Sequence, residues 1–306
     1  MVIFRNLAEI KLNEKTAVAL GNFDGIHRGH QVLIERAVQT ARKKGLKSAV
    51  FTFSNHPRNA MAGSNVVKNI IYEDEKTEIL RSMGVDYLFS IEFQEIMKLS
   101  PLKFVDQVLV KVFNIDTAVC GFNFTYGYKA AGTADMLKTM ADGRFDVSVV
   151  DPVMQGQEIV SSTLIRSRIE EGRVEEMSML LGRNYTIRGS VINGNHLGKS
   201  IGFPTCNIEI DESMAALPNG VYMTFCHVDG KKYCSITNVG NKPTVGEFGK
   251  NIETNIYDFD EEIYGKNITV EFIRKIRDEI RFDSLEKLKE QIRKDSETVK
   301  KYHGLI

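Results

Sequence analysis

Residues 21–30 read Gly21-Asn22-Phe23-Asp24-Gly25-Ile26-His27-Arg28-Gly29-His30, with three glycines and two histidines in ten positions. Histidines three residues apart share one side of a first helical turn. The free N–H groups of a helix start, at the positive end of its dipole, attract phosphate. Glycine lets the backbone come close to a ligand. The chemistry these types allow is the handling of a polyphosphate. The segment lacks the Gly-Lys-Ser/Thr ending of a P-loop. Its glycines fall four apart, outside the dinucleotide fingerprint. No neighbouring Cys or carboxylate cluster completes a zinc set around His27 and His30. The plainer reading is a glycine-rich turn with two exposed histidines.

Four further segments carry reactive types. Gly121-Phe122-Asn123-Phe124-Thr125-Tyr126-Gly127 is either a core-packing loop or a flat wall for a ring system, with Asn123 as donor and acceptor. Ser161-Ser162-Thr163-Leu164-Ile165-Arg166 caps a helix. With Arg166 one turn on, it also fits a polyphosphate clamp. Residues 189–207 repeat glycine at Gly189, Gly194, Gly198 and Gly202, with Lys199, Pro204, Thr205 and Asn207 among them. That pattern is a glycine-rich barrel corner, or a phosphate loop followed by a Thr/Asn pair for Mg²⁺, a cation that takes oxygen ligands and shares ATP phosphates. Glu253, near the start of a strand, reads by itself as a solvated carboxylate.

The elements that must position these residues fall in two halves. Thr16 to Leu20 is an apolar run ahead of the first segment, and 31–38 has helical spacing after it, ending at Gly45. Strands at 48–53, 85–91, 116–121 and 145–151 alternate with helices at 74–83, 100–113 and 133–140. Repeated strand–helix units imply a parallel sheet with helices on both faces, and ligands then bind beyond the strand carboxyl ends. Two short helices follow at 164–171 and 174–181. Short strands then dominate at 185–192, 206–210, 221–228, 232–239, 253–259 and 268–273, before one amphipathic helix at 285–302. Asp229-Gly230 is a hairpin signal between two of them. Evenly spaced short strands imply a small antiparallel barrel. The expected domains are 1–183 and 184–306.

Composition bounds the partners. The 306 residues favour two domains, at roughly 100–200 residues each. Lys+Arg and Asp+Glu both total 40, so no basic surface for nucleic acid or membrane is expected. No apolar stretch reaches the ~18 residues of a membrane span, and no secretory leader is read at Met1. Cys120, Cys206, Cys226 and Cys234 form no Cys-x-x-Cys pair. Reduced thiols and a cytoplasmic location are expected. No oligomeric state is predicted.

These motifs carry a resemblance. Gly-x-Phe-Asp-Gly-x-His-x-Gly-His after a strand is similar to the nucleotidyltransferase superfamily. Its Phe-Asp-Gly context resembles the adenylyltransferase module of bacterial bifunctional riboflavin kinase/FAD synthetases. The 121–127 segment resembles that family's Gly-x-Asp/Asn-Phe-x-Phe-Gly, with Asn123 where Asp is common. Ser161-Ser162-Thr163-x-x-Arg166 is similar to the signature that completes the ATP site, and 52–57 to the second-strand loop, where His56 is read as structural or positioning. Gly202-Phe203-Pro204-Thr205-Cys206-Asn207 resembles the riboflavin kinase motif, with Cys206 in the Ala place and Lys199 where Arg is frequent. The 252–260 strand resembles the one whose Glu is the general base, and Asn255 replaces a common His.

The resemblance implies a Rossmann-like nucleotidyltransferase domain and a small barrel riboflavin kinase domain with a C-terminal helix. It implies ATP, riboflavin, FMN and FAD as substrates and products, with Mg²⁺. Catalysis would fall to Glu253, His27, His30 and Arg166. The histidines are read as charge stabilisers for pyrophosphate departure. Nucleotide binding would fall to Gly21, Phe23, Asp24, Gly29, Asn123, Ser161, Ser162, Thr163, Gly194, Gly198, Lys199, Gly202 and Pro204, and metal binding to Thr205 and Asn207. The alternatives are a single adenylyltransferase with a decayed kinase, a transferase for another phosphorylated acceptor, or a flavin-binding regulator.

Overall fold

A computed structural model of the chain describes residues 1–193, 202–241 and 250–305. The expectations placed on Gly194, Gly198 and Lys199 lie outside the described residues. The chain divides into two compact units, Met1–Ser162 and Thr163–Ile306. The strands of the first unit are β1 (Val2–Phe4), β2 (Thr16–Leu20), β3 (Lys47–Phe53), β4 (Tyr87–Ile91), β5 (Ile115–Gly121), β6 (Thr125–Tyr126), β7 (Gly132–Thr133), β8 (Asp146–Val150), β9 (Met154–Gln155) and β10 (Glu158–Ile159). Those of the second are β11 (Tyr185–Ile192), β12 (Cys206–Glu209), β13 (Gly220–Val228), β14 (Lys231–Asn241), β15 (Lys250–Ile256) and β16 (Asn267–Asp278).

Six strands of the first unit form a parallel sheet in the order β1-β4-β3-β2-β5-β8. β2 is buried along its whole length, as its unbroken apolar run requires of a strand covered on both faces. Alternation sends Val18 and Leu20 into one core, with Phe51, Phe89 and Phe113, and Ala19 into the other, with Ile34, Leu80 and Leu88. The helix Arg28–Lys44 turns Leu33, Ile34, Ala37, Val38 and Ala41 inward and stops at left-handed Gly45. Each large side chain so buried contributes roughly 1.5–3 kcal/mol. The order reverses between β2 and β5, and the crevice at such a switch point is where ligands bind in doubly wound sheets.

Two features of this unit differ from expectation. β1 adds a parallel edge strand beside β4; three residues are too few to show a period. The helix expected over 100–113 is one α-turn, Pro101–Lys103, followed by a π-helix, Phe104–Val110. Lys111 N–H bonds Asp106 O and Phe113 N–H bonds Val108 O, both five residues back. The wider turn buries Phe104, Val105, Val108 and Leu109 together, which 3.6-residue periodicity does not anticipate.

In the second unit β11-β12-β15-β14-β13-β16 close into an antiparallel barrel. Its interior mixes Tyr185, Tyr222 and Phe272 with a hydroxyl chain in which Thr224 contacts Ser235 and Thr237 at 2.8 Å and Thr237 contacts Thr254 at 2.9 Å. Buried hydroxyls are tolerated because each has a partner. Asp229 and Gly230 both take positive φ, as the hairpin signal required. Helix Leu285–His303, capped by Ser284, is tied to β16 by Arg277, whose Nε and Nη2 meet Asp295 at 2.9 and 2.8 Å. The four cysteines are free thiols. Cys226 is buried, and the Cys206 thiol donates to Thr254 O at 3.4 Å.

Candidate active sites

The first site is built at the carboxyl end of β2. His27 is the N-cap of the following helix, and its Nδ1 accepts the His30 backbone N–H at 3.2 Å. The two imidazoles stack with centroids 3.6 Å apart, and the Phe23 ring meets His30 edge-on at 5.1 Å. The shared face expected from their spacing is therefore formed. The glycines on either side are explained by these rings: a Cβ on Gly21 would lie 3.0 Å from the Phe23 ring, and one on Gly29 3.2 Å from that of His27.

The loop between strand and helix is strained. Phe23 and Ile26, both fully buried, take φ of 48° and 37°. Positive φ at a β-branched residue is an outlier that surrounding structure must impose. The imposing bonds are visible. Thr52 Oγ1 donates to Asn22 O at 2.8 Å, Gln31 Nε2 to Ile26 O at 2.9 Å, and Ser162 Oγ to Asp24 O at 2.9 Å. The Asp24 carboxylate accepts Ile70 N–H at 3.0 Å, so it shapes the loop.

The electrostatics correct one expectation. Burial, then the charges of His27 and Lys76, hold His30 well below the usual histidine pKa. His30 is thus neutral at neutral pH and is not a standing positive charge. Its Nδ1 is buried without a hydrogen-bond partner among the described residues. A buried cation acting on His30 is Lys76, only 7% exposed and paired with Glu73 at 2.9 Å. Sequence reasoning missed it because a lysine on an otherwise charged helix reads as a solvated face; only its tertiary burial marks it.

The remaining residues expected here divide. Asn123 is exposed at the end of β5, beside Phe122, which is 45% exposed. Phe124 stacks on the buried Tyr126 at 5.7 Å and packs into the core. The aromatic segment is therefore part wall and part core. The helix expected from Leu164 begins at Ser162. Thr163 and Arg166 fall in the second unit, while Ser161 and Ser162 fall in the first. His56 caps the helix Pro57–Ala62 by accepting Arg58 N–H at 3.2 Å, a structural role as read.

The second site lies on the barrel. Asn207 on β12 stands opposite Glu253 on β15. Asn251, two residues before Glu253, donates from Nδ2 to Asn207 Oδ1 at 3.0 Å and to Glu253 Oε1 at 3.1 Å. Burial pushes the Glu253 carboxyl up, and the Asn251 bond opposes that in part. A carboxylate with a raised pKa is a competent proton acceptor nearer neutral pH. Pro204, Thr205 and Cys206 line a cavity of about 560 Å³ with Thr254, Ile256 and Phe259. Thr205 opens onto this cavity, whereas Asn207 is 7% exposed and bonded to Asn251. Gly202 takes φ of 86° with open space around it. Asn255 Nδ2 donates to Pro204 O at 2.6 Å; this is a packing role at the departure from His. Among the described residues no three His, Cys, Asp or Glu side chains cluster as a metal site. The Thr205 hydroxyl and Asn207 amide oxygen are hard oxygen donors of the kind Mg²⁺ takes alongside phosphate. Gly189 is structural, since a Cβ there would meet Glu209 O at 2.8 Å.

The comparisons agree with this division. The FAD synthetase family matches residues 9–164 and the riboflavin kinase family residues 181–303. The chain is 37% identical over 293 residues to the bifunctional riboflavin kinase/FMN adenylyltransferase of Bacillus subtilis, covering 94% of this chain and 92% of that protein. The Listeria monocytogenes protein of the same name is 38% identical over 294 residues, at 94% and 93% coverage. A crystal structure described as a macrolide-efflux protein from Streptococcus pneumoniae superimposes with a TM-score of 0.91 at 33% identity, covering 98% of both chains. Among the described residues no helix is long and apolar enough to cross a membrane. Strand order, barrel closure, both motif sets and these matches lead to one conclusion: the chain belongs to the bifunctional riboflavin kinase/FMN adenylyltransferase family.

Proposed function

We propose that this chain makes FAD from riboflavin in two ATP-dependent steps at separate sites in the cytoplasm, with functional domains 1–183 and 184–306. In the first step the riboflavin 5′-hydroxyl attacks the γ-phosphate of ATP, giving FMN and ADP. A neutral hydroxyl benefits from a base as it attacks, and Glu253 takes that proton. Thr205 and Asn207 would hold Mg²⁺ with the ATP phosphates, and the ion would supply charge neutralisation there. Gly202 and Pro204, with Gly194, Gly198 and Lys199, are assigned to the nucleotide.

In the second step an FMN phosphate oxygen attacks the α-phosphate of ATP, and pyrophosphate leaves. This nucleophile is already ionised, so no strong base is needed. Alignment and charge stabilisation carry the reaction. His27, His30, the helix N–H groups and Arg166 are assigned to the polyphosphate, with Ser161, Ser162 and Thr163 at the second helix start. Gly21, Phe23, Asp24 and Gly29 shape the loop, and Asn123 with Phe122 is assigned to a ring. A neutral His30 can donate a ring N–H to the polyanion and would gain proton affinity beside it.

The observation that carries the two-step reading is the half-buried Glu253 carboxyl opposite Asn207, on a barrel where adenylyl transfer alone would need neither. The partners are small molecules, with no nucleic acid or membrane. Purified protein incubated with riboflavin, ATP and Mg²⁺ is expected to yield FMN and then FAD on chromatography. FMN without FAD would remove the second step, and unconverted riboflavin the first.

A further inference from the structure

We propose that Asn251 is the positioning residue of the barrel site, holding the Glu253 carboxylate and the Asn207 amide oxygen in one fixed arrangement. The inference rests on the assignment of Glu253 as base. Nothing in the sequence marks Asn251: it lies two residues before Glu253 on β15, outside every motif. The structure makes it the hinge of the site. Its side chain is 9% exposed, and both N–H bonds are used, one at 3.0 Å to Asn207 Oδ1 and one at 3.1 Å to Glu253 Oε1. Two acceptors on one amide nitrogen fix which end of the amide faces them. An acceptor turned that way would meet two acceptors.

Period-2 alternation places Asn251 and Glu253 on one face of β15. Register places Asn207 opposite Glu253 on β12, and Asn238 opposite it on β14. Those cross-strand neighbours are uncharged. The charged residues nearby in the pairing are Glu209, opposite Asn251, and Lys250, whose ammonium bonds Asn219. Among the described residues the bond seen on the Glu253 carboxylate is the one from Asn251, and through it the carboxylate shares a frame with Asn207. A carboxylate free to rotate would lose its aim at the substrate hydroxyl, and positioning is a large part of such catalysis.

The test is the kcat and riboflavin KM of riboflavin phosphorylation in Asn251→Ala and Asn251→Asp. Aspartate is isosteric but lacks the donor and repels the Glu253 carboxylate, so it cannot hold that carboxylate in place. In both variants kcat should fall at unchanged riboflavin KM, further for Asp than for Ala. A loss of about tenfold in kcat is expected. FMN-to-FAD conversion by the same preparations and the thermal midpoint report folding. Should Asn251→Ala fail to fold, the isosteric Asn251→Asp carries the test. An unchanged kcat, a change in riboflavin KM alone, or an equal loss of FMN-to-FAD conversion would overturn the proposal. Wild-type protein that leaves riboflavin unphosphorylated would instead remove the assignment of Glu253.

Discussion

His30 gives a prediction whose size follows from its surroundings. The folded chain holds it neutral by burial and by the charges of His27 and Lys76. The unfolded chain carries an ordinary histidine of pKa about 6.5. As pH falls below that value the unfolded state binds a proton that the folded state refuses, so stability falls with pH. Stability from this site is fully present above about pH 6.5 and is lost on the way down to the folded pKa. The limiting slope is about 1.36 kcal/mol per pH unit, which integrates to as much as roughly 1.4 kcal/mol lost by pH 5.5. His30→Asn cannot titrate. Denaturant unfolding of both proteins between pH 8 and 5.5 isolates the contribution, because the other histidines cancel in the difference. The wild-type advantage should shrink by about that amount across the range. Lys76→Met should raise the His30 proton affinity in a histidine NMR titration, since one of its opposing charges is gone. A difference independent of pH, or a wild-type His30 that titrates at or above 6.5, would refute the neutral-histidine account and restore the cationic one.

Glu253→Gln should cut riboflavin phosphorylation by about 10²–10⁴ while FMN adenylylation persists. The raised carboxyl pKa costs stability once Glu253 ionises, so this variant should be at least as stable as wild type at pH 8, measured by thermal unfolding. His30→Ala should do the reverse in the two product assays, losing FAD and keeping FMN. Gly189→Ala would push a methyl against Glu209 O and should destabilise the barrel by about 1–3 kcal/mol, read as a lower thermal midpoint. Asp295→Ala leaves Arg277 without its partner in a site where both side chains are largely buried. A loss of about 3–5 kcal/mol should appear as faster amide exchange in helix Leu285–His303.

Much was legible in the sequence because it is local. The apolar run Thr16–Leu20 and the glycine and histidine spacing after it specify a strand, a turn and a helix start by backbone rules alone. The period change after Gly182 marks where a parallel sheet gives way to a barrel, since strands buried on both faces and strands half-exposed need different patterns. The resemblance of the motifs supplied the substrates, which no periodicity encodes. Tertiary structure decided what depends on distant neighbours. The charge of His30 is set by burial and by Lys76, forty-six positions away, and no local rule predicts a desolvation. The π-helix Phe104–Val110 is set by the core that its four buried residues share. Asn251 joins Asn207 to Glu253 only when β12 and β15 pair, because register, not sequence proximity, brings Asn207 opposite Glu253. Residue types and spacing determined which chemistry the chain has the parts for; packing determined which protons those parts hold.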